Sequence, residues 1–200
     1  MPKYARLSFI GLSLLLAAPF LLPLWQTRME APQYRGDEAL EVSVYAGRVH
    51  GDLEEIDNLN QYVGVELPLG GVELRILPLV LAALSTLALL GALLPPRWQR
   101  PLAALILTLL VSAAAGGLAL LQYRLYQMGH ERGDQIMEGV EDFTPPVLGH
   151  IHVANFDAWT RLGAGGWLLV VAVALCAAMV FRLPVAGRPL LTSAVSGDPA

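Results

Sequence analysis

The sequence predicts an all-α membrane protein of four transmembrane helices with two sizeable extracytoplasmic loops, the first containing a short strand and a short surface helix. Three observations predict it. Four apolar runs, 7–25, 76–94, 102–121 and 163–181, each approach the roughly 20 residues a helix needs to cross the hydrocarbon core, and none contains a charged side chain. Sixteen of the seventeen acids and all four histidines fall in just two of the intervening segments, 26–75 and 122–162. Basic residues flank the other ends: Lys3 and Arg6 before the first run, Arg97 and Arg100 between the second and third, Arg182 and Arg188 after the fourth.

By the positive-inside rule those basic flanks face the cytoplasm, so both termini lie inside and the two acid-rich segments lie outside a cytoplasmic (inner) membrane. At 200 residues and 55% hydrophobic, with mean hydropathy +0.53, the chain is expected to form one bundle over 1–183, followed by a flexible cytoplasmic tail, 184–200.

The first run follows a basic start, as a signal peptide would, but its length and the lack of a small-x-small site before Trp25 favour an uncleaved anchor. Pro19 and Pro23 should bend it near its outer end, and Pro78 opens the second run. The Ala113 to Gly117 stretch of the third run, and Gly163, Gly165 and Gly166 at the start of the fourth, suit close helix contact. Cys176, the only cysteine, reads as a small buried hydrophobe and excludes an internal disulfide.

In the first outer segment Leu40, Val42 and Val44 alternate with polar residues as a half-buried strand does, and Gly47 ends the pattern. Asp52 reads as a helix N-cap with Glu55 at the third helical position, and Leu53, Ile56 and Val63 share an apolar face. In the second, the third helix continues through Gln122 to Tyr126 and breaks near Gly129. Pro145, Pro146 and Gly149 impose an extended course and a turn, after which His150 and His152 share a face if the chain is a strand there.

The chemistry-bearing residues outside the runs are His50, His130, His150 and His152, with Met29, Met128 and Met137. Imidazole with thioether suits copper better than magnesium or calcium, which prefer oxygen. Scattered loop histidines are more commonly plain polar surface, and these lack a zinc-type spacing. Asp52, Glu54, Glu55 and Asp57 cluster but lack the spacing and glycine of a calcium loop, and a solvated helix face explains them more simply. No ionisable residue lies within any run, which argues against a proton-coupled carrier, and no histidine there offers an axial haem ligand. No phosphate loop, nucleophile elbow, zinc-protease motif or basic nucleic-acid surface is present.

Three motifs on the expected outer side carry a resemblance: Met29-Glu-Ala-Pro-Gln-Tyr34; Leu59-Asn-Gln-Tyr-Val-Gly-Val65; and Gly129-His130 through Phe143-Thr-Pro-Pro-Val-Leu-Gly149, then Asn155-Phe156 and Gly165-Gly-Trp167. Together with the four runs they resemble the NosB-like family of small four-helix membrane proteins associated with clade II nitrous oxide reductase gene clusters. The family pattern has Leu-Asn-His-Tyr-Ile-Gly-Met where this chain carries Gln61 and Val65, a loss of two copper donors.

The resemblance implies a non-enzymatic accessory of nitrous oxide respiration at the outer face of the membrane, in maturation, copper handling or docking of a respiratory partner. Nitrous oxide reductase or one of its accessory proteins is then the expected partner beside the lipid bilayer, in a hetero-oligomer. His130, His150, His152 and Met29 are the candidate metal ligands, with copper as the candidate cofactor. Tyr34, Asn60, Tyr62, Pro145, Pro146, Asn155 and Phe156 are candidates for partner binding or loop architecture, the latter favoured by what Pro, Asn and aromatics do in loops. Two rival readings are a quinol-interacting or electron-transfer membrane subunit, and a small channel or carrier whose polar path would use Ser13, Ser85, Thr86, Thr108 and Ser112.

Overall fold

The computed structural model describes residues 2–30, 33–34, 36–56, 73–130, 144–153 and 156–183. Among the described residues four helices have 16 residues or more: α1, Pro2–Ala17; α2, Glu73–Gly91; α3, Pro96–His130; and α4, Ala164–Arg182. Three of them, α2, α3 and α4, are long and apolar enough to cross a membrane, the pattern of a membrane protein. The first helix departs from its expected span of 7–25. It begins at Pro2, and after 16 residues gives way to a 3₁₀ turn, Ala18–Phe20, with Pro19 in its opening turn. Proline lacks the N–H for a continuing helix, and a strand takes Trp25.

The four helices share one core. Phe9, Leu12 and Leu16 of α1 meet Leu84 and Ala88 of α2, Ala103, Ile106 and Leu110 of α3, and Ala172, Cys176 and Met179 of α4, all buried. Cys176 is therefore the packed hydrophobe its surroundings imply. At the end holding the 92–95 turn, buried Gln99 donates to the carbonyls of Gly91 and Leu94, and Arg100 Nε donates to Val180 O at 3.0 Å. Beyond Leu110, α3 stands clear of the other helices, with every residue from 111 to 120 exposed.

The all-α expectation is overturned at the other end. Five antiparallel strands form one sheet there: β1, Trp25–Glu30; β2, Leu40–Tyr45; β3, Arg48–Gly51; β4, Gly149–Val153; and β5, Phe156–Leu162. Their spatial order is β3-β2-β1-β5-β4, so both acid-rich segments build a single layer. The one expected strand, at 40–44, is β2. The other four arise because buried or half-buried backbone groups need partners: β3 and β4 find them in the adjacent strands β2 and β5, and β1 finds them across more than a hundred residues on β5, from Trp25↔Leu162 to Glu30↔Asp157.

The sheet is tied to the bundle through two direct junctions. β1 follows α1 within a few residues and β5 runs into α4 across Gly163. There Gly163 N donates to Leu24 O (3.0 Å) and Gly165 N to Pro23 O (2.8 Å). A Cβ on Gly165 would lie 2.6 Å from Leu22 O, and one on Gly166 would overlap Leu24 O. The expected close contact of these glycines is thus with the α1–β1 connection rather than with a neighbouring helix.

A second, smaller core lies under one face of the sheet: Leu40, Val42 and Ile56, with Met29, Tyr34, Val49 and Leu53 packed against them. Residues 53–56 are helical, as expected, but Asp52 does not cap them with its side chain. Its carboxylate accepts the Glu41 amide at 2.9 Å, while its carbonyl accepts Ile56 N. The tight β2–β3 turn needs Gly47, whose φ of +85° disfavours any side chain. Val63 and the tail, 184–200, lie outside the described residues.

Candidate functional site

Side chains alternate along a strand, and directly paired residues share a face, so register alone sorts the sheet. One face takes Trp25, Thr27, Met29, Leu40, Val42, Val44, Ile151, Ala158, Thr160 and Leu162 and is turned inward. The opposite face takes every charged strand residue, Arg48 paired with Tyr45 at one end and the rest in three rows. Across the sheet these read His50, Ser43, Gln26, Arg161; then Glu41, Arg28, Trp159, His150; then Glu30, Asp157, His152.

The middle row is pinned by Arg28. Its guanidinium donates to Gly36 O at 2.6 Å and reaches Glu30 (3.4 Å) and Glu41 (3.5 Å). Both ion pairs are exposed and add little stability, but together they orient the side chain beside Trp159. The Trp159 ring remains 40% exposed and stacks on His150 with centroids 4.7 Å apart.

His150 and His152 converge on one atom. His150 Nε2 lies 3.1 Å and His152 Nδ1 2.8 Å from Asp157 Oδ1. The His152 hydrogen bond holds the Asp157 carboxyl below its ordinary value, with partial desolvation opposing and His150 adding to the effect. An ionised carboxylate only accepts, so each neutral imidazole directs its proton at Asp157 and keeps its lone pair on the other nitrogen.

The four expected metal donors are divided. His150 and His152 stand together as their i, i+2 spacing on a strand requires. Met29 lies on the inward face, in line with Ala158 and Ile151, and packs against the small core. His130, at the end of α3, stacks on Tyr126 at 4.0 Å and donates to its carbonyl. His50 sits on β3, at the far edge from β4. With the thioether removed, the remaining donors at the cluster are imidazole and carboxylate, a set suited to divalent transition ions rather than copper(I). No group of three or more His, Cys, Asp or Glu side chains among the described residues is arranged as ready metal ligands.

Four of the residues expected to serve partner binding or loop architecture fall within the described residues. Tyr34 packs on the small core. Pro145 and Pro146 begin a strap across the inward face: Pro145 O accepts Gln122 Nε2, Pro146 O accepts Thr160 Oγ1, and Val147 O accepts Trp25 Nε1 at 2.8 Å. Phe156 opens β5 opposite Val153. Asn60, Tyr62 and Asn155 lie outside the described residues. Sequence reasoning missed Arg28, Asp157 and Trp159, although Asp157, Trp159 and Arg161 alternate with Ala158, Thr160 and Leu162 as a strand does. Compared with protein-family models and with curated protein sequences, the chain matches none.

Proposed function

We propose that this chain is a non-enzymatic membrane accessory protein that docks a respiratory partner on the polar face of its sheet, at the outer side of the cytoplasmic membrane. The observation that carries the proposal is the mounting of that face. Arg28 and Glu30 project from β1, and Asp157, exposed Trp159 and Arg161 from β5, the two central strands joined to α1 and α4, with the three histidines beside them on β3 and β4, so a bound partner is held in fixed register with the bilayer. Exposed Trp beside Arg is the composition of a binding hot spot.

Orientation follows from the basic flanks, which put the 92–95 turn and both termini in the cytoplasm. α1 completes the fourth span: 16 residues of helix at 1.5 Å each plus one 3₁₀ turn reach about 30 Å, the thickness of the hydrocarbon core. The motif resemblance assigns the pathway, nitrous oxide respiration, with the reductase or its maturation machinery as partner.

Of the rival readings, the channel gains least from the bundle. Ser13 and Ser85 bond to each other at 3.0 Å, and Thr86 and Thr108 donate to their own helices, which is the behaviour of helix–helix glue.

The test is a photo-crosslinker placed at Trp159 and, as control, at Leu118 on the exposed side of α3, in cells respiring nitrous oxide. A reductase-pathway protein captured from Trp159 alone, with reductase activity lost in the deletion strain and in Trp159→Ala and Arg28→Ala variants, is the expected result. Unchanged reductase activity in the deletion strain would reject the pathway, and equal capture from both positions would reject the docking face.

A further inference from the structure

We propose that Arg161, with Gln26 and Ser43 beside it, binds the phosphate of an anionic membrane phospholipid in the leaflet on the sheet's side of the bilayer. The inference rests on α4 crossing the membrane and does not depend on which partner the outer rows of the sheet dock.

Depth places Arg161 among the headgroups. The 19 residues of α4 rise 1.5 Å each, about 28 Å in all, which matches the roughly 30 Å hydrocarbon core and puts Gly163 at its boundary. β5 enters α4 through that glycine, so Arg161 stands two strand residues, at most about 7 Å, beyond it. Half the difference between the whole bilayer and its core is about 5–7 Å, so the guanidinium is carried at the level of the phosphates.

Other side chains mark the same boundary. Trp167, in the first turn of α4, is exposed, as are Leu21 and Leu22 just past the 3₁₀ turn, the aromatic and apolar rim expected where a span leaves the hydrocarbon. Toward the β3 edge, Arg48 lies over the Tyr45 ring and donates to the carbonyl of Phe20, the last residue of that turn.

The donor chemistry is that of an oxyanion site. Arg28 is occupied by Glu30, Glu41 and Gly36 O, whereas Arg161 has no hydrogen-bond or ion-pair partner among the described residues. Its register partner is Gln26, whose amide nitrogen donates to Ser43 Oγ at 3.2 Å. One amide N–H and the Ser43 hydroxyl proton are left to donate beside the guanidinium fork, which matches a phosphate in shape and charge. The three side chains border a shallow cleft bounded on its other side by Arg28 and Glu41. Its room of about 10 Å³ admits one oxygen-sized atom, so it seats a phosphate oxygen and leaves the rest of the lipid outside. With Glu41 paired to Arg28, the unbalanced charge at the cleft is that of Arg161, which favours a net-negative headgroup over a zwitterionic one.

The experiment uses the full chain in phosphatidylcholine vesicles doped with a phosphatidylglycerol that carries a photoactivatable group at the glycerol end of one acyl chain, with the labelled residues mapped by mass spectrometry. Labelling of Leu21, Leu22 and Trp167 is expected. In Arg161→Gln it should fall about 5-fold, the change equivalent to the ~1 kcal/mol of one cation at a lipid surface, while labelling around Trp98 at the opposite end stays the same. Arg161→Lys, which keeps the charge and loses the fork, and Ser43→Ala, which keeps the fork, should each lose less. A phosphatidylcholine with the same reactive group should label these residues more weakly and be indifferent to Arg161→Gln. Inorganic phosphate should not compete beyond sodium chloride of equal ionic strength. Circular dichroism in the same vesicles confirms that each variant is folded. The proposal is overturned if folded Arg161→Gln is labelled like the unaltered chain, if both lipids label equally, or if Leu21, Leu22 and Trp167 are not labelled. Displacement by inorganic phosphate would overturn it as well, by showing a site for a free anion rather than for a lipid.

Discussion

Replacing Gly165 by alanine tests the claim that the sheet is rigidly joined to the bundle. The added Cβ would stand 2.6 Å from Leu22 O and 3.1 Å from Pro23 O, both backbone atoms that cannot rotate away. Relief requires α4 and the 22–24 segment to separate by a few tenths of an ångström or more, which stretches the bonds Gly165 N to Pro23 O (2.8 Å) and Gly163 N to Leu24 O (3.0 Å). Overpacking costs about 1–3 kcal/mol. Each weakened hydrogen bond adds up to about 1 kcal/mol, giving a total of about 2–4 kcal/mol. Gly116→Ala and Gly117→Ala are the controls. A Cβ at either position meets nothing within 4 Å, so alanine should be neutral or stabilise the helix by up to about 1 kcal/mol.

The assay is thermal unfolding in one detergent, followed by tryptophan fluorescence from Trp25 and Trp159, with amide exchange along β1 read by mass spectrometry. Gly165→Ala should melt lower and exchange faster in β1, whereas the two controls should not. A Gly165→Ala protein with unchanged melting and protection would refute the reasoning, because the junction would then have slack that its atomic contacts deny.

Trp25→Phe keeps most of the ring but loses the bond to Val147 O, so it should cost about 1 kcal/mol and release the strap. Faster limited proteolysis within 144–148, with bundle stability little changed, is the expected reading. Asp157 has its folded-state value depressed below 3.8, so the stability it contributes to the β4–β5 pair is complete above 3.8 and disappears as pH falls through the lowered value. Amide exchange in β4 between about pH 5 and pH 2 should show that loss in the unaltered chain and a flatter profile in Asp157→Asn. Ser13→Ala or Ser85→Ala should each cost about 0.6 kcal/mol, and the double variant scarcely more than one of them, because the pair satisfies itself; additive losses in a double-mutant cycle would contradict a direct bond.

Much of the site was legible in parts. The alternation at Leu40 to Val44 located β2, and the spacing of His150 and His152 placed two imidazoles on one face once a strand existed there. Met29 was misgrouped with them because its face depends on strand parity: it alternates with Arg28 and Glu30, and this could be read only after β1 was recognised. β1 itself was hidden by Trp25, whose bulk and apolarity extended the first run past the prolines that end the helix.

By itself, the chain determined the apolar runs, the absence of charge within them and the gathering of acids and histidines between them, since each follows from the local cost of taking a polar group out of water. Tertiary structure alone decided that residues 25–30 and 156–162 lie side by side, that Asp157 meets both imidazoles, and that the glycines of α4 clasp the end of α1. The physical reason is that a strand has no internal hydrogen bonds: which partner completes its backbone is set by what folding brings alongside, and no short stretch of sequence contains that information.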